Sequence, residues 1–178
     1  YINQPNISEI QILFIPSSKK KIDMLQDGQV HLLPTLETVH AEVLRNNNDI
    51  TVSQIASGRH AVLGMHFQHA PFDNAFIRKA ISYAIPYDQI INEAYHGTAR
   101  RWTSPMPMGT PMANENNWPY HFDVLKAQEM LSQSNHKSGF HSELFVDAAD
   151  AEHVAMAEII VPALKEINIH LDIEKMES

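Results

Sequence analysis

Apolar residues recur along this chain in two rhythms, and each rhythm predicts an element. "EIQILFI" at 9–15 has the β-branched and aromatic density of a strand, which Pro16 closes. Ser17 or Ser18 can cap a helix over 19–27, where Ile22 and Leu25 lie three apart, and Gly28 suits its end. "VHLLP" at 30–34 predicts a short buried strand. Thr35 then opens a helix with Leu36, Val39, Val43 and Leu44 on one face, and "NNND" at 46–49 ends it. "ITVSQIA" at 50–56 and "HAVLGMHF" at 60–67 predict an antiparallel pair turned by "SGR", the second strand being the more continuously apolar.

The firmest periodicity follows. Phe76, Ile77, Ala80, Ile81, Ala84 and Ile85 recur at helical spacing, and Pro86 then stops one helix and opens another. A proline cannot donate a backbone hydrogen bond and pushes its predecessor out of helical geometry, yet it fits a first turn. The pattern therefore predicts a corner, with Ile90, Ile91, Ala94 and Tyr95 on the second helix and Gly97 at its end.

Residues 98–121 hold four prolines and no sustained period, a loop longer than compact domains usually carry without a purpose. Beyond it, Asp123 can cap a helix to about Ser132, 142–148 reads as a strand, 150–166 as a helix and 167–173 as a last strand. Pro162 should kink or shorten the last helix. Strands alternating with helices, with one antiparallel pair, predict an α/β fold: an open mixed β-sheet flanked by helices. The 178 residues fit a single domain.

Composition narrows the function classes. Thirteen Lys and Arg against 21 Asp and Glu give a formal charge of −8, which argues against nucleic acid or an anionic membrane surface as the main partner. The absence of cysteine excludes disulfides and thiolate metal sites and leaves the redox compartment open. No apolar run approaches the roughly 20 residues of a spanning helix. The chain starts at Tyr1 with no leader pattern, so a preceding segment is expected to be missing.

Several constellations have both a chemical and a plain reading. His66 and His69 form an H-x-x-H pair, with His60 six residues before, but a strand end does not fix ligand geometry as H-E-x-x-H does on a helix. "ARRW" joins Arg100 and Arg101 to Trp102, which can hold a carboxylate or stack on a planar ligand, or can be a solvated loop anchored by its indole. Asp147 and Asp150 flank a strand-to-helix junction, where ligands of open α/β sheets tend to sit. Asp150 is the better candidate for a plain helix cap. There is no nucleophile elbow, no P-loop and no G-x-G-x-x-G, so nothing here points to an enzyme or to a cofactor.

Taken together, "KIDMLQDGQVHLLP", "LGMHFQHAPFDNAFIRKAISYAIPYDQIINEAYHGTA", "FDVLKAQEMLSQ" and "AEIIVPALKEINIHLDI" resemble the peptide/nickel-type solute-binding proteins, family 5, that serve ABC importers. The resemblance covers nearly the whole chain in order and spacing. It implies one lobe of a two-lobed periplasmic-binding-protein fold of type II character. Residues 1–178 would be the second lobe, cut at both ends near the hinge crossings, with the first and last strands close to the missing first lobe. The broken helix at 71–90 would then be scaffold, holding 60–67 and the loop at 98–121 along a cleft that closes by hinge motion.

The same resemblance implies capture of oligopeptides or dipeptides outside the cytoplasmic membrane, in the periplasm or extracellularly, free or lipid-anchored, and delivery to ABC permease subunits. Haem or a chelated metal is the alternative ligand within the fold, and a hydrolase the alternative outside it. Position by position, Arg59, His60, Ala61 and Val62 stand where relatives carry ligand-facing aromatics, and His66 replaces an Asn. Asp147 stands where peptide-binding relatives place an Arg or Asn near the ligand carboxyl terminus, a charge that would repel that group. Glu152 and His153 fall in the first turn of the following helix, which relatives also use.

Overall fold

The structure, a computed structural model, describes residues 6–55, 59–104, 106, 110–111 and 118–177. The chain forms two compact units, residues 1–54 and 55–178.

In the first unit, helix α1 (Ser18–Gln26) starts where the sequence predicts, with the Ser17 hydroxyl accepting from the Lys20 amide at 3.3 Å. Gly28, at φ 71°, turns the chain out of it. Helix α2 (Thr38–Arg45) begins three residues later than Thr35. Glu37, its cap residue, does not cap it with its side chain, which accepts from the Ser18 hydroxyl at 2.6 Å and so links the starts of the two helices. Leu44 is buried at 1% exposure, whereas Val39 and Val43, expected beside it, stand at 56% and 61%.

The strands expected at 9–15, 30–34 and 50–56 do not form: 9–15, 30–34 and 50–55 lack sheet pairing, and residue 56 lies outside the described set. The same holds for 60–67 in the second unit, so the antiparallel pair is not made; its turn at 57–58 is not described. A strand is defined by its neighbour, and these segments have none among the described residues. Phe14, at 94% exposure, shows the consequence: apolar density suited to a sheet, with no sheet around it.

The second unit is built on a core. Helix α3 (Ala75–Ala84) is capped by Asn74, whose side chain accepts from the Phe76 amide at 2.8 Å, and buries Ile77, Ala80, Ile81 and Ala84. Ile85 is extended (φ −76°, ψ 121°), as the residue before a proline should be, and Pro86 restarts the chain as helix α4 (Tyr87–Gln89). The helix widens at once into a π turn, Ile90–Ala94, closed by Tyr95 N donating to Ile90 O at 3.3 Å. His96 and Gly97, both at positive φ, end it.

Helix α5 (Val124–Ser132) is capped by Asp123, whose own amide donates to Tyr83 O at 2.8 Å and ties the end of the long loop to α3. Strand β1 (Phe140–Asp147), helix α6 (Ala151–Lys165) and strand β2 (Ile169–Met176) form a β-α-β unit, the strands pairing in parallel from Phe140↔Ile169 to Asp147↔Met176. Among the described residues these two strands are the whole sheet, which is open at both edges. Helix α6 runs through Pro162 to Lys165; the proline lies on the exposed face with Glu158, whose unmatched carbonyl water can satisfy. Helix α6 packs on β2 and α3 packs on α5, and Ile77, Ile81, Leu131, Ile160, Leu164 and Ile169 are buried together in one cluster.

Candidate functional site

The carboxyl end of β1 gathers the acidic group. Asp147 Oδ1 accepts from the Ala149 amide at 2.9 Å, shaping the turn into α6. Asp150 is the helix cap, accepting from the His153 amide at 2.9 Å, and its other oxygen lies 3.2 Å from His153 Nδ1. His153 is therefore held by the cap, which bears out the plain reading of Asp150. Glu152, half-buried, stands near a residue the sequence reading did not single out.

That residue is Tyr95, at the end of the π turn. Its hydroxyl lies 3.3 Å from Met156 Sδ on α6. Burial pushes its phenol above the ordinary value, Glu152 and Asp150 push it further, and Arg59 pulls the other way. The end of the π turn and the start of α6 thus meet at one phenol, which also feels the charge of Arg59. Because the folded value lies above the unfolded one, the stability this group contributes is complete below about pH 10 and is lost as pH rises through the folded value. Glu152→Gln removes one raising charge. Tyrosinate absorbance should then show one phenol titrating earlier, with a smaller alkaline loss of stability; an unchanged titration would separate Glu152 from Tyr95.

The second group is cationic and aromatic. The Arg100 guanidinium carbon sits 5.0 Å over the Trp102 ring, and that of Arg101 sits 4.3 Å over the ring of Tyr87. Trp102 Nε1 donates to Met106 O at 2.6 Å, and His60 meets the indole edge-on at 6.2 Å. Tyr87 is fixed through its hydroxyl, which donates to Ser82 O at 2.8 Å. Burial raises its phenol, against the lowering effects of Trp118 and Arg101. Trp118, Tyr120 and Tyr83 continue the aromatic surface edge to face, at 5.1 and 5.0 Å. Of the long loop, residues 105, 107–109 and 112–117 lie outside the described set.

Arg59 and His60, adjacent in sequence, join the acidic group to the cationic one. His66 belongs to neither; it packs edge-on against His69 at 4.3 Å, while His60 is with Trp102. Among the described residues no three His, Asp or Glu come together as a metal site. An open depression of about 530 Å³ lies elsewhere, against His66, Phe72, His141, Glu143 and Asp172. It takes in His66 alone of the sequence candidates. The chemistry is concentrated where opposite charges and aromatics converge, and the candidate site is placed there on that ground. Tyr87, Trp118 and Tyr120 escaped the sequence reading, which placed Tyr95 on the second helix but gave it no role in the site. For Tyr87 a signal was present: an aromatic directly after a helix-breaking proline stands at a corner, where its ring can serve as a floor.

A model of the bacterial extracellular solute-binding proteins, family 5 Middle, matches residues 1–178. Glutathione-binding protein GsiB of Pectobacterium atrosepticum is 23% identical over 175 residues, covering 98% of this chain and 34% of that protein. GsiB of Escherichia coli K12 gives the same identity and coverage, so the chain spans about a third of the length of these relatives. Among solved structures, the periplasmic binding protein DppA of Helicobacter pylori in complex with peptide STSA superposes with a TM-score of 0.81 at 29% identity, over 92% of this chain and 31% of that one. NikA of Brucella suis in complex with Fe(III)-EDTA shares the fold, with a TM-score of 0.76 at 21% identity, over 92% and 36%. Among the described residues no helix is long and apolar enough to cross a membrane. With the match running from first residue to last, the chain belongs to family 5 of the bacterial extracellular solute-binding proteins.

Proposed function

We propose that this chain is one lobe of the substrate-binding component of an ABC importer, which captures oligopeptides or dipeptides outside the cytoplasmic membrane and delivers them to permease subunits. The observation that carries the reading is the whole-chain family match together with the resemblance to a peptide-bound binding protein. The charge layout supports it: Asp147, Asp150 and Glu152 suit the ammonium end of a zwitterion, while Arg100 and Arg101 suit a carboxylate. The solutes named for relatives include glutathione, the peptide STSA and the dipeptide Met-Leu. All three carry free carboxylates.

In this reading residues 1–178 are the second lobe, the loop at 98–121 faces the cleft, and the remainder of the longer chain closes over the solute by hinge motion. The protein works in the periplasm or outside the cell, free or lipid-anchored, and no bond is made or broken. Arg59, His60, Arg100, Arg101, Trp102, Asp147 and Glu152 contribute to the wall, whereas His153 supports Asp150. Haem or a chelated metal is the second reading, favoured by the resemblance to chelate-bound NikA. A chelate brings its own ligands, so the lack of a three-residue metal cluster among the described residues does not decide against it.

Native mass spectrometry of the full-length protein tests this, after incubation with glutathione, Met-Leu, STSA, a mixed peptide pool and haem. Retention of a peptide is the expected result. Retention of haem with no peptide would overturn the peptide assignment, and peptide turnover abolished by one substitution in the site would overturn solute capture itself.

A further inference from the structure

We propose that Arg101 is the anchor for a carboxylate of the captured solute, with Tyr87 as the floor that holds its guanidinium in place. The inference rests on the solute-capture reading above and assigns a chemical class to one part of that site.

A guanidinium carries its five donors in its plane, so a ring beneath it restrains the group and leaves its edges for hydrogen bonding. Tyr87 supplies that ring at 4.3 Å. The ring is itself fixed, because it follows the Pro86 corner and its hydroxyl is committed to Ser82 O. Its raised phenol stays protonated at neutral pH and so does not supply a counter-charge.

Nothing else among the described residues supplies one. No carboxylate lies within ion-pair reach of Arg101, and its Nε is buried without a hydrogen-bond partner. Such a donor is rare in a folded protein and calls for a specific account. The chain has 21 acidic side chains against 13 basic ones, so carboxylates are plentiful, yet none among the described residues pairs with Arg101. Asp150, by contrast, is already occupied with capping α6 and holding His153. A half-buried cation with a buried, unpartnered donor and an aromatic floor is matched by a planar, two-oxygen anion that can meet Nε and Nη together. A ligand ring stacked on the guanidinium would leave Nε unsatisfied, and it is therefore the poorer match.

The test uses the full-length protein and the peptides STSA and Met-Leu, each as free acid and as C-terminal amide, in titration calorimetry. Amidation should weaken wild-type binding by about ten- to a hundredfold, the range of a lost charge-assisted pair. Arg101→Met should show the same loss for the acids and no further loss for the amides, with an unchanged melting temperature. Arg101→Lys, which keeps the charge but not the planar fork, should recover only part. If Arg101→Met still prefers acid over amide as the wild type does, the proposal fails.

A second measurement separates this failure from failure of the peptide assignment. The Nε–H resonance of Arg101, assigned by its loss in Arg101→Lys, is followed during titration with acetate. If no peptide binds but acetate moves this resonance, the peptide assignment falls and the carboxylate anchor stands. If neither acetate nor any peptide moves it, the anchor falls.

Discussion

Gly139→Ala should lower the melting temperature by about 6 to 12 °C, from a loss on the order of 3 kcal/mol. Gly139 sits at φ 89°, a region that side-chain-bearing residues rarely adopt. A Cβ built there would lie 2.6 Å from the carbonyl carbon of Asn168 and 2.7 Å from its Cβ, and would overlap the Asn168 carbonyl oxygen. That same oxygen accepts from the Phe140 amide at 3.2 Å, the contact at which β1 and β2 begin to pair. Neither partner can yield cheaply. Asn168 is itself at φ 59°, so relief of the clash must displace the entry to one strand or the other. The damage should reach function, since the strand that starts at Phe140 ends at Asp147. Calorimetry of wild type and variant checks it, and a melting temperature within a degree or two of wild type would show that the crossing is looser than described.

Leu164→Ala is expected to destabilise by about 2–5 kcal/mol, lowering the urea midpoint at unchanged slope. Leu164 is 0% exposed in the last turn of α6, among core residues that include Ile160, Ile167 and Ile169. Removing its branched end takes away burial and leaves a space between a helix and a strand, neither of which can collapse without breaking the pairing of β1 with β2. Leu125→Ala on α5 is the control. At 79% exposure it should change stability by no more than about 0.5 kcal/mol. Equal losses from the two variants would contradict the assigned faces of these helices.

How much of this was legible in the sequence depends on whether an element's cause is local. The apolar stripe of α3, the Pro86 corner, the Asp123 and Asp150 caps and the β-α-β unit all follow from residues close together in the chain, and the structure bears them out to within a few residues. The segments 9–15, 30–34, 50–56 and 60–67 have strand composition too, but pairing is not a local property, and the described residues offer them no neighbour. Helix α2 starts later than Thr35, and Glu37 before it is bonded to Ser18, 19 residues away, a contact that no window of sequence shows.

The site divides the same way. Arg100, Arg101 and Trp102 are neighbours in the chain and could be grouped on sight, and Asp147, Glu152 and His153 mark a junction that spacing reveals. What spacing could not reveal is that Tyr87 lies under Arg101, or that Tyr95 meets Glu152 and Arg59, because these meetings are made by the corner and the wide turn after it. His60 and His66 shared a predicted strand face, and without the strand they went to different partners.

The wide turn at Ile90–Ala94 also bears on how this segment can change. Trimming one amino acid from it would regularise the helix, which ordinarily favours stability. A π turn fits one extra position into nearly the span of an α turn, so everything downstream would keep almost the same facing. Tyr95 would stay beside Met156 provided that the position removed is an exposed one, because Ile90 and Ala94 are buried. The spare position is therefore dispensable to orientation, and solvent-facing Asn92 is the place to shorten the segment when engineering the protein for robustness.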